Sequence, residues 1–329
     1  MQKLETKSKQ RGKGPSINLG AVDGELQSPS NADKAFRVSM ERFLVRPASY
    51  LGALAVRIGV AVLRRLSPGM RRALAFGCGN LAFVLGIRRR VTLDNLRMAF
   101  PGLCARERRR IARASYGHMF LSALEGLCGH TLSKSTCVEL MNWHLLEGHF
   151  EKGFLVASAH FGSWELMAEL FSARGISMAA VVRPLAGAIN AQLFASRQEA
   201  GMELIHPKGA LRGMLKALKA RKVVIQLIDQ SLSADRAVFV PFFGRMTATA
   251  PALSMAAVSS KVPAYLVLSE RIQGGMRVWV EGPFVAQSTG DSKGDVVLHV
   301  AQMTAALEAH IRRCPEQWMW MHRRWKVRP

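Results

Sequence analysis

Acidic residues are scarce in this chain of 329 residues, where 23 Asp and Glu stand against 46 Lys and Arg and leave a formal charge of +23. That deficit points to an anionic partner: nucleic acid, anionic lipid headgroups or an acidic carrier protein. Cysteine is also sparse. Cys78, Cys104, Cys128, Cys137 and Cys314 are odd in number and widely spaced, with no Cys-x-x-Cys pair. This argues against a disulfide scaffold or a zinc site and fits a reduced, cytosol-facing protein. His206, His299 and His310 lack ligand-like spacing, so no metal is expected. Phosphate-loop and dinucleotide fingerprints are missing, so no cofactor is expected either. No nucleic-acid module is legible, which makes a basic nucleic-acid-binding protein the weaker alternative from another class. Residues 1–33 lack the apolar core of a secretory signal and read as a mobile leader.

What is present is apolar: 49% of residues are hydrophobic, enough for a substantial core. No clean run of about 20 apolar residues crosses the early chain. Phe43 to Leu63 is interrupted by Arg46, Pro47 and Arg57, and Ala73 to Ile87 is uninterrupted but short. Arginines bracket both segments: Arg64, Arg65, Arg71 and Arg72 between them, then Arg88, Arg89 and Arg90. The pattern predicts an N-terminal apolar helical segment that anchors at a membrane, with its arginines among anionic headgroups on the cytoplasmic side. A pair of buried core helices would read the same way. Val91, Leu93, Leu96 and Ala99 then outline a basic amphipathic helix that stops at Pro101 and Gly102, with a second helix through Tyr116, Met119, Phe120 and Leu124. The expected organisation is a leader at 1–33, a membrane-associated helical region at 34–130 and an α/β domain at 131–329.

From Phe154 the pattern alternates. Strands are expected at Phe154 to Ala159, Ile176 to Val182, Glu203 to Ile205, Val223 to Ile228, Tyr265 to Leu268 and Met276 to Val280. Helices are expected at Ser163 to Ala173, Ala191 to Ala200, Leu211 to Ala220 and Pro251 to Ser260. Strands alternating with helices of this length predict a mixed, largely parallel sheet flanked by helices. The polar residues fall at strand ends: His160 after one strand, Arg183 after the next, Asp229 after the Val223 to Ile228 strand. In parallel sheets that edge is where ligands bind.

The sharpest element is His160-Phe-Gly-Ser-Trp-Glu165. On one continuous helix these two residues would point about 140° apart. With His160 at a strand end and Gly162 in the turn, Glu165 in the first helical turn is expected to come back towards the imidazole. His160 would then take the proton of an attacking hydroxyl, with Glu165 fixing its tautomer. A histidine that merely caps a strand end accounts for the same spacing. No Gly-x-Ser-x-Gly or similar nucleophile is present, so direct attack without a covalent enzyme intermediate is expected.

His-x-x-x-x-Glu after a short apolar strand resembles the signature of glycerolipid acyltransferases, and the form His-Phe-Gly-Ser-Trp-Glu is similar to that of lipid A late acyltransferases. Ser163 stands where that branch usually has Asn. Further blocks match in order: Arg88 to Pro101, Val182 to Leu185, Phe239 to Gly244 and Pro315 to Lys326. The resemblance implies a glycerolipid acyltransferase-like fold at the inner membrane, with the catalytic domain facing the cytoplasm. It implies transfer of a fatty acyl chain from an acyl-carrier-protein or acyl-CoA thioester to a hydroxyl of a lipid A precursor or related glycolipid. A lysophospholipid or other glycolipid acceptor with acyl-CoA is the alternative. It makes His160 the general base and Glu165 its charge partner, and Arg183 and Asp229 substrate-binding residues, a reading compatible with an ion pair between those two. Phe242 and Phe243 are candidates to line an acyl channel, or core. Trp318, Trp320, His322, Arg323, Arg324, Trp325 and Lys326 mix indoles with cations and read as a lipid-interface surface.

Overall fold

The computed structural model describes residues 47–129, 136–184 and 186–329, so the leader, Phe43 and Arg46 lie outside the described residues. Among the described residues four helices come first: α1 (Pro47–Arg65), α2 (Pro68–Val84), α3 (Arg89–Ala99) and α4 (Ala105–Cys128). Ser67 caps α2, its side chain accepting from the amide of Met70, and Pro68 starts the helix where its missing N–H costs nothing. The chain then runs through β1 (Cys137–Met141), α5 (His144–Glu147), β2 (Leu155–Ser158), α6 (Leu166–Ala173), β3 (Met178–Val181) and α7 (Ala188–Glu199). It continues with β4 (Met202–Ile205), α8 (Ala210–Lys219), β5 (Val223–Leu227), β6 (Val238–Phe242), β7 (Arg245–Thr249) and α9 (Ala252–Ser260). The last elements are β8 (Ala264–Ile272), β9 (Gly275–Phe284) and α10 (Ser292–Arg313).

The main sheet has seven strands in the order β1-β9-β8-β2-β5-β3-β4. Every neighbouring pair is parallel except the β8–β9 hairpin. The mixed, largely parallel sheet with flanking helices is therefore present. Leu155 and Ala157 face one core with Val224, Met214, Leu253 and Met303, while Phe154 and Val156 face the other with Ile225, Leu166 and Phe171. Burial on both faces explains why the central strands read as unbroken apolar runs.

The structure adds elements where no strand or helix was expected: the edge strand β1, the β6–β7 hairpin and the long helix α10. Strands β8 and β9 also run past their expected apolar limits, because Ser269, Glu270, Arg271 and Ile272 keep pairing with β9. Polar residues end an apolar pattern without ending a ladder.

The first helices are built onto this domain. At the contact between α2 and α4 a Cβ on Gly79 would come within 2.7 Å of the backbone nitrogen of Gly117, so the two helices touch backbone to backbone. Their outward side is apolar: Leu54, Ile58 and Val62 on α1, and Leu81, Val84, Leu85 and Ile87 at the end of α2, are exposed, Leu85 at 67%. No single described helix is long and apolar enough to cross a membrane. The α2–α3 pair passes that test by length and composition but bends by 93°.

Candidate active site

Sheet order and register bring the site together. Strands β2 and β5 are neighbours with Ser158 opposite Leu227, an offset of 69 residues, and the same offset carried two residues further sets His160 opposite Asp229. Strand β3 lies on the other side of β5, so Arg183 emerges at the same edge one strand away.

The two side chains meet. His160 Nδ1 lies 2.9 Å from Asp229 Oδ1, and the His160 amide donates to Asp229 Oδ2 at 3.0 Å. Asp229 is only 1% exposed. Burial alone would raise its pKa, but the charge and hydrogen bonds of His160, together with the indole N–H of Trp318, outweigh that and bring it down to about 2. An ionised carboxylate accepts only, so the proton of this hydrogen bond sits on Nδ1. The side-chain amide nitrogen of Gln230 sits 3.3 Å from Nε2, and Trp164 packs edge-on against the imidazole at 5.3 Å. The imidazole remains about one-fifth exposed, with Nδ1 turned to the buried carboxylate and Nε2 on the other side of the ring.

The turn after His160 is held from three sides. Gly162 has φ of +56°, and a Cβ there would overlap the Ser269 carbonyl, so only glycine fits. The Gly162 amide donates to Gln317 O at 2.9 Å, the Ser163 amide donates to Ser269 O at 2.8 Å, and Ser122 on α4 donates to Gly162 O at 2.6 Å. Because the chain still pairs through Gly162, the next helix begins at Leu166 and not at Ser163.

This geometry corrects several expectations. Glu165 does not come back to His160. Arg197 on α7 grips it bidentately, Nη2 to Oε1 at 2.6 Å and Nε to Oε2 at 3.1 Å, and Trp164 Nε1 donates to Oε1 at 3.1 Å. The backbone at Glu165 is already helical, which turns the side chain under α4, where Gly126 lies against it. Asp229, expected to bind substrate or pair with Arg183, is spent on His160 and Trp318, and Arg183 is exposed. Phe242 and Phe243 are buried among Trp318, Trp320 and Trp325, and Phe243 forms the β6–β7 turn with φ of +51°. They are core residues. The C-terminal indoles are not a lipid-facing surface: Trp318, Trp320, Trp325 and Arg324 are all buried, Arg324 donating to Ala248 O and Thr249 Oγ1 at 2.7 Å. His322 also turns inward. Burial pushes its pKa down, and its neutral Nε2 accepts from the Ser231 amide at 3.0 Å.

Sequence reasoning missed Arg197 and Gln230, and misread Trp318. Gln230 sits beside a residue already singled out, whereas nothing local marks Arg197.

A family model described as bacterial lipid A biosynthesis acyltransferase matches residues 41–327. The chain belongs to that family. It is an acyltransferase. It is 28% identical to the lipid A biosynthesis lauroyltransferase of Escherichia coli (strain K12) over 87% of this chain and 94% of that protein. It is 26% identical to a lipid A biosynthesis acyltransferase of Haemophilus influenzae over 83% of this chain and 90% of that protein. With the lipid A biosynthesis palmitoleoyltransferase of Escherichia coli (strain K12) it shares 24% identity, over 74% and 80% of the two chains.

Proposed function

We propose that this acyltransferase moves a fatty acyl chain from an acyl-carrier-protein thioester to a hydroxyl of a lipid A precursor or related glycolipid at the cytoplasmic face of the inner membrane. The observation that carries the reading is the His160–Asp229 pair, with Nε2 open and the carboxylate buried behind Nδ1. Nε2 removes the proton of the acceptor hydroxyl as its oxygen attacks the thioester carbonyl. The tetrahedral intermediate collapses, the C–S bond breaks, and the imidazolium returns its proton to the leaving thiolate. Asp229 stabilises the imidazolium in between without itself accepting the proton. Glu165 acts one step removed, keeping the turn that carries His160 tied to α7 through Arg197. Exposed Arg183 serves the acceptor or the thioester carbonyl as a cation at the same edge. The exposed apolar residues of α1 and α2, flanked by arginines, fit a chain resting in the headgroup and acyl boundary.

The test is an incubation of the purified protein in phospholipid vesicles with acyl carrier protein or acyl-CoA donors and a panel of acceptors, read by lipid mass spectrometry. The expected product is a glycolipid one acyl chain heavier, formed from the carrier-protein donor. Because a chain of formal charge +23 meets an acidic carrier, the KM for that donor should rise with salt as charges screen beyond about 8 Å, while kcat changes little. Acylation of lysophospholipids alone would overturn the acceptor, and a donor KM that ignores salt would overturn the carrier.

A further inference from the structure

The segment from Pro315 to Trp325 passes directly behind the catalytic turn. Trp318 forms an antiparallel bridge with Phe161, the Gly162 amide donates to Gln317 O at 2.9 Å, and the Met319 amide donates to His160 O at 3.1 Å. These contacts deliver one polar group to the base. Trp318, 1% exposed, donates its indole N–H to Asp229 Oδ2 at 2.9 Å. On the far side, buried Asn95 of α3 donates to both Trp320 O at 2.8 Å and His322 O at 2.6 Å.

We propose that Trp318 is a positioning residue for acyl transfer, its indole N–H anchoring the Asp229 carboxylate so that Oδ1 stays on His160 Nδ1, with Asn95 holding the segment that presents it. The proposal rests on the reading of His160 as the base. A carboxylate rotates readily about its last side-chain bond, since that torsion is broad. With Trp318 in place, Oδ2 is pinned by two N–H donors, the indole and the His160 amide, and the remaining oxygen has one orientation left. Without the indole donor, a lone pair of a buried anion loses its partner, and the carboxylate is free to lean on the imidazolium with charge it previously shared. The other charged or titratable groups that reach Asp229 are His322 and Arg324. His322 is occupied by the Ser231 amide, and Arg324 by Ala248 and Thr249. Trp318 also has a packing role, with Phe242 at 5.6 Å and Trp320 at 4.6 Å between ring centres. The two roles separate chemically because packing needs the ring and anchoring needs the N–H.

The experiment replaces Trp318 by 3-benzothienylalanine, which keeps the shape of the ring system and puts sulfur where the N–H was, with Trp318→Phe beside it. Both are assayed as full-length protein in phospholipid vesicles with the donor and acceptor that the wild type uses, against His160→Ala as the control for the base. The expected result is a fall in kcat of about 10-fold from loss of a hydrogen bond to a charged group, with KM unchanged. The acid limb of the pH profile should move to higher pH, because the freed carboxylate oxygen holds the imidazolium more tightly. The benzothienyl protein should melt no more than a few degrees below the wild type, so that the fall in kcat is not a loss of folded protein. Wild-type kcat in that protein overturns the proposal. So does a fall in kcat with an unmoved acid limb, which would assign Trp318 to packing. Full activity in His160→Ala would instead overturn the reading of the base and leave the bond between Trp318 and Asp229 structural.

Discussion

Asp229→Asn should lower kcat by roughly 10³- to 10⁴-fold while leaving KM nearly unchanged. The carboxylate of Asp229 receives N–H donors on both oxygens: Nδ1 of His160 on Oδ1, and the His160 amide and the Trp318 indole on Oδ2. An asparagine must keep its carbonyl where two donors converge, which turns its NH₂ towards Nδ1. That nitrogen must then become the acceptor, and the ring proton moves to Nε2, where the base is needed. His160→Ala should cost about 10² to 10⁴ in rate by removing the base altogether. Steady-state transfer by both purified proteins decides the matter: near-normal turnover of His160→Ala, or an Asp229→Asn within a few-fold of wild type, would sink the mechanism. The carboxyl is held down at about 2, below its usual value of about 3.9. Its contribution to stability is therefore complete above pH 4 and is lost only as pH falls towards 2.

Arg197→Ala should destabilise the protein by about 3 kcal/mol, the lower end for breaking a buried ion pair because both side chains keep slight exposure. Among the described residues, Glu165 would be left under α4 with only the Trp164 indole as partner. Removing both charges in a Glu165→Gln, Arg197→Ala double variant should be milder than the sum of the single changes, since no uncompensated charge remains. Thermal or denaturant unfolding of the three proteins measures this coupling. Additive losses would mean that the ion pair contributes nothing. A Glu165→Gln protein of normal stability but with the activity of His160→Ala would restore Glu165 to the side of the base.

Much of the fold could be read from period and punctuation. Helices α3 and α4 fall where the basic amphipathic pattern and Pro101 set them, and the β2, β3 and β5 strands fall on their apolar runs. The residues His160, Arg183 and Asp229 stand out because a polar residue closes each run. Which of them touch is a matter of strand order, and no local pattern states that β5 lies between β2 and β3. Glu165 was misassigned for the same reason: its partner Arg197 is 32 residues away on another helix. The C-terminal indoles misled because aromatic and cationic residues interleave equally well at a lipid boundary and in a core, and only packing around Arg324 and Trp318 tells them apart. Helix α10 had a legible stripe in Val296, Val300, Met303, Leu307 and Ile311, all now buried on one side.

The offset of 69 residues between His160 and Asp229 is also an interval of time. A ribosome adding about 5 to 20 residues per second makes the histidine roughly 3 to 14 s before its carboxylate. Trp318 follows the histidine by 318 − 160 = 158 residues, or about 8 to 32 s at the same pace. For the first 69 residues of that interval the nascent chain holds an imidazole with no anion behind it, and for the rest an anion whose second oxygen lacks its indole. Catalytic competence arrives last, after the sheet has paired and the C-terminal segment has come to rest against it, so a chain released before Trp318 would carry the base without the setting that directs it.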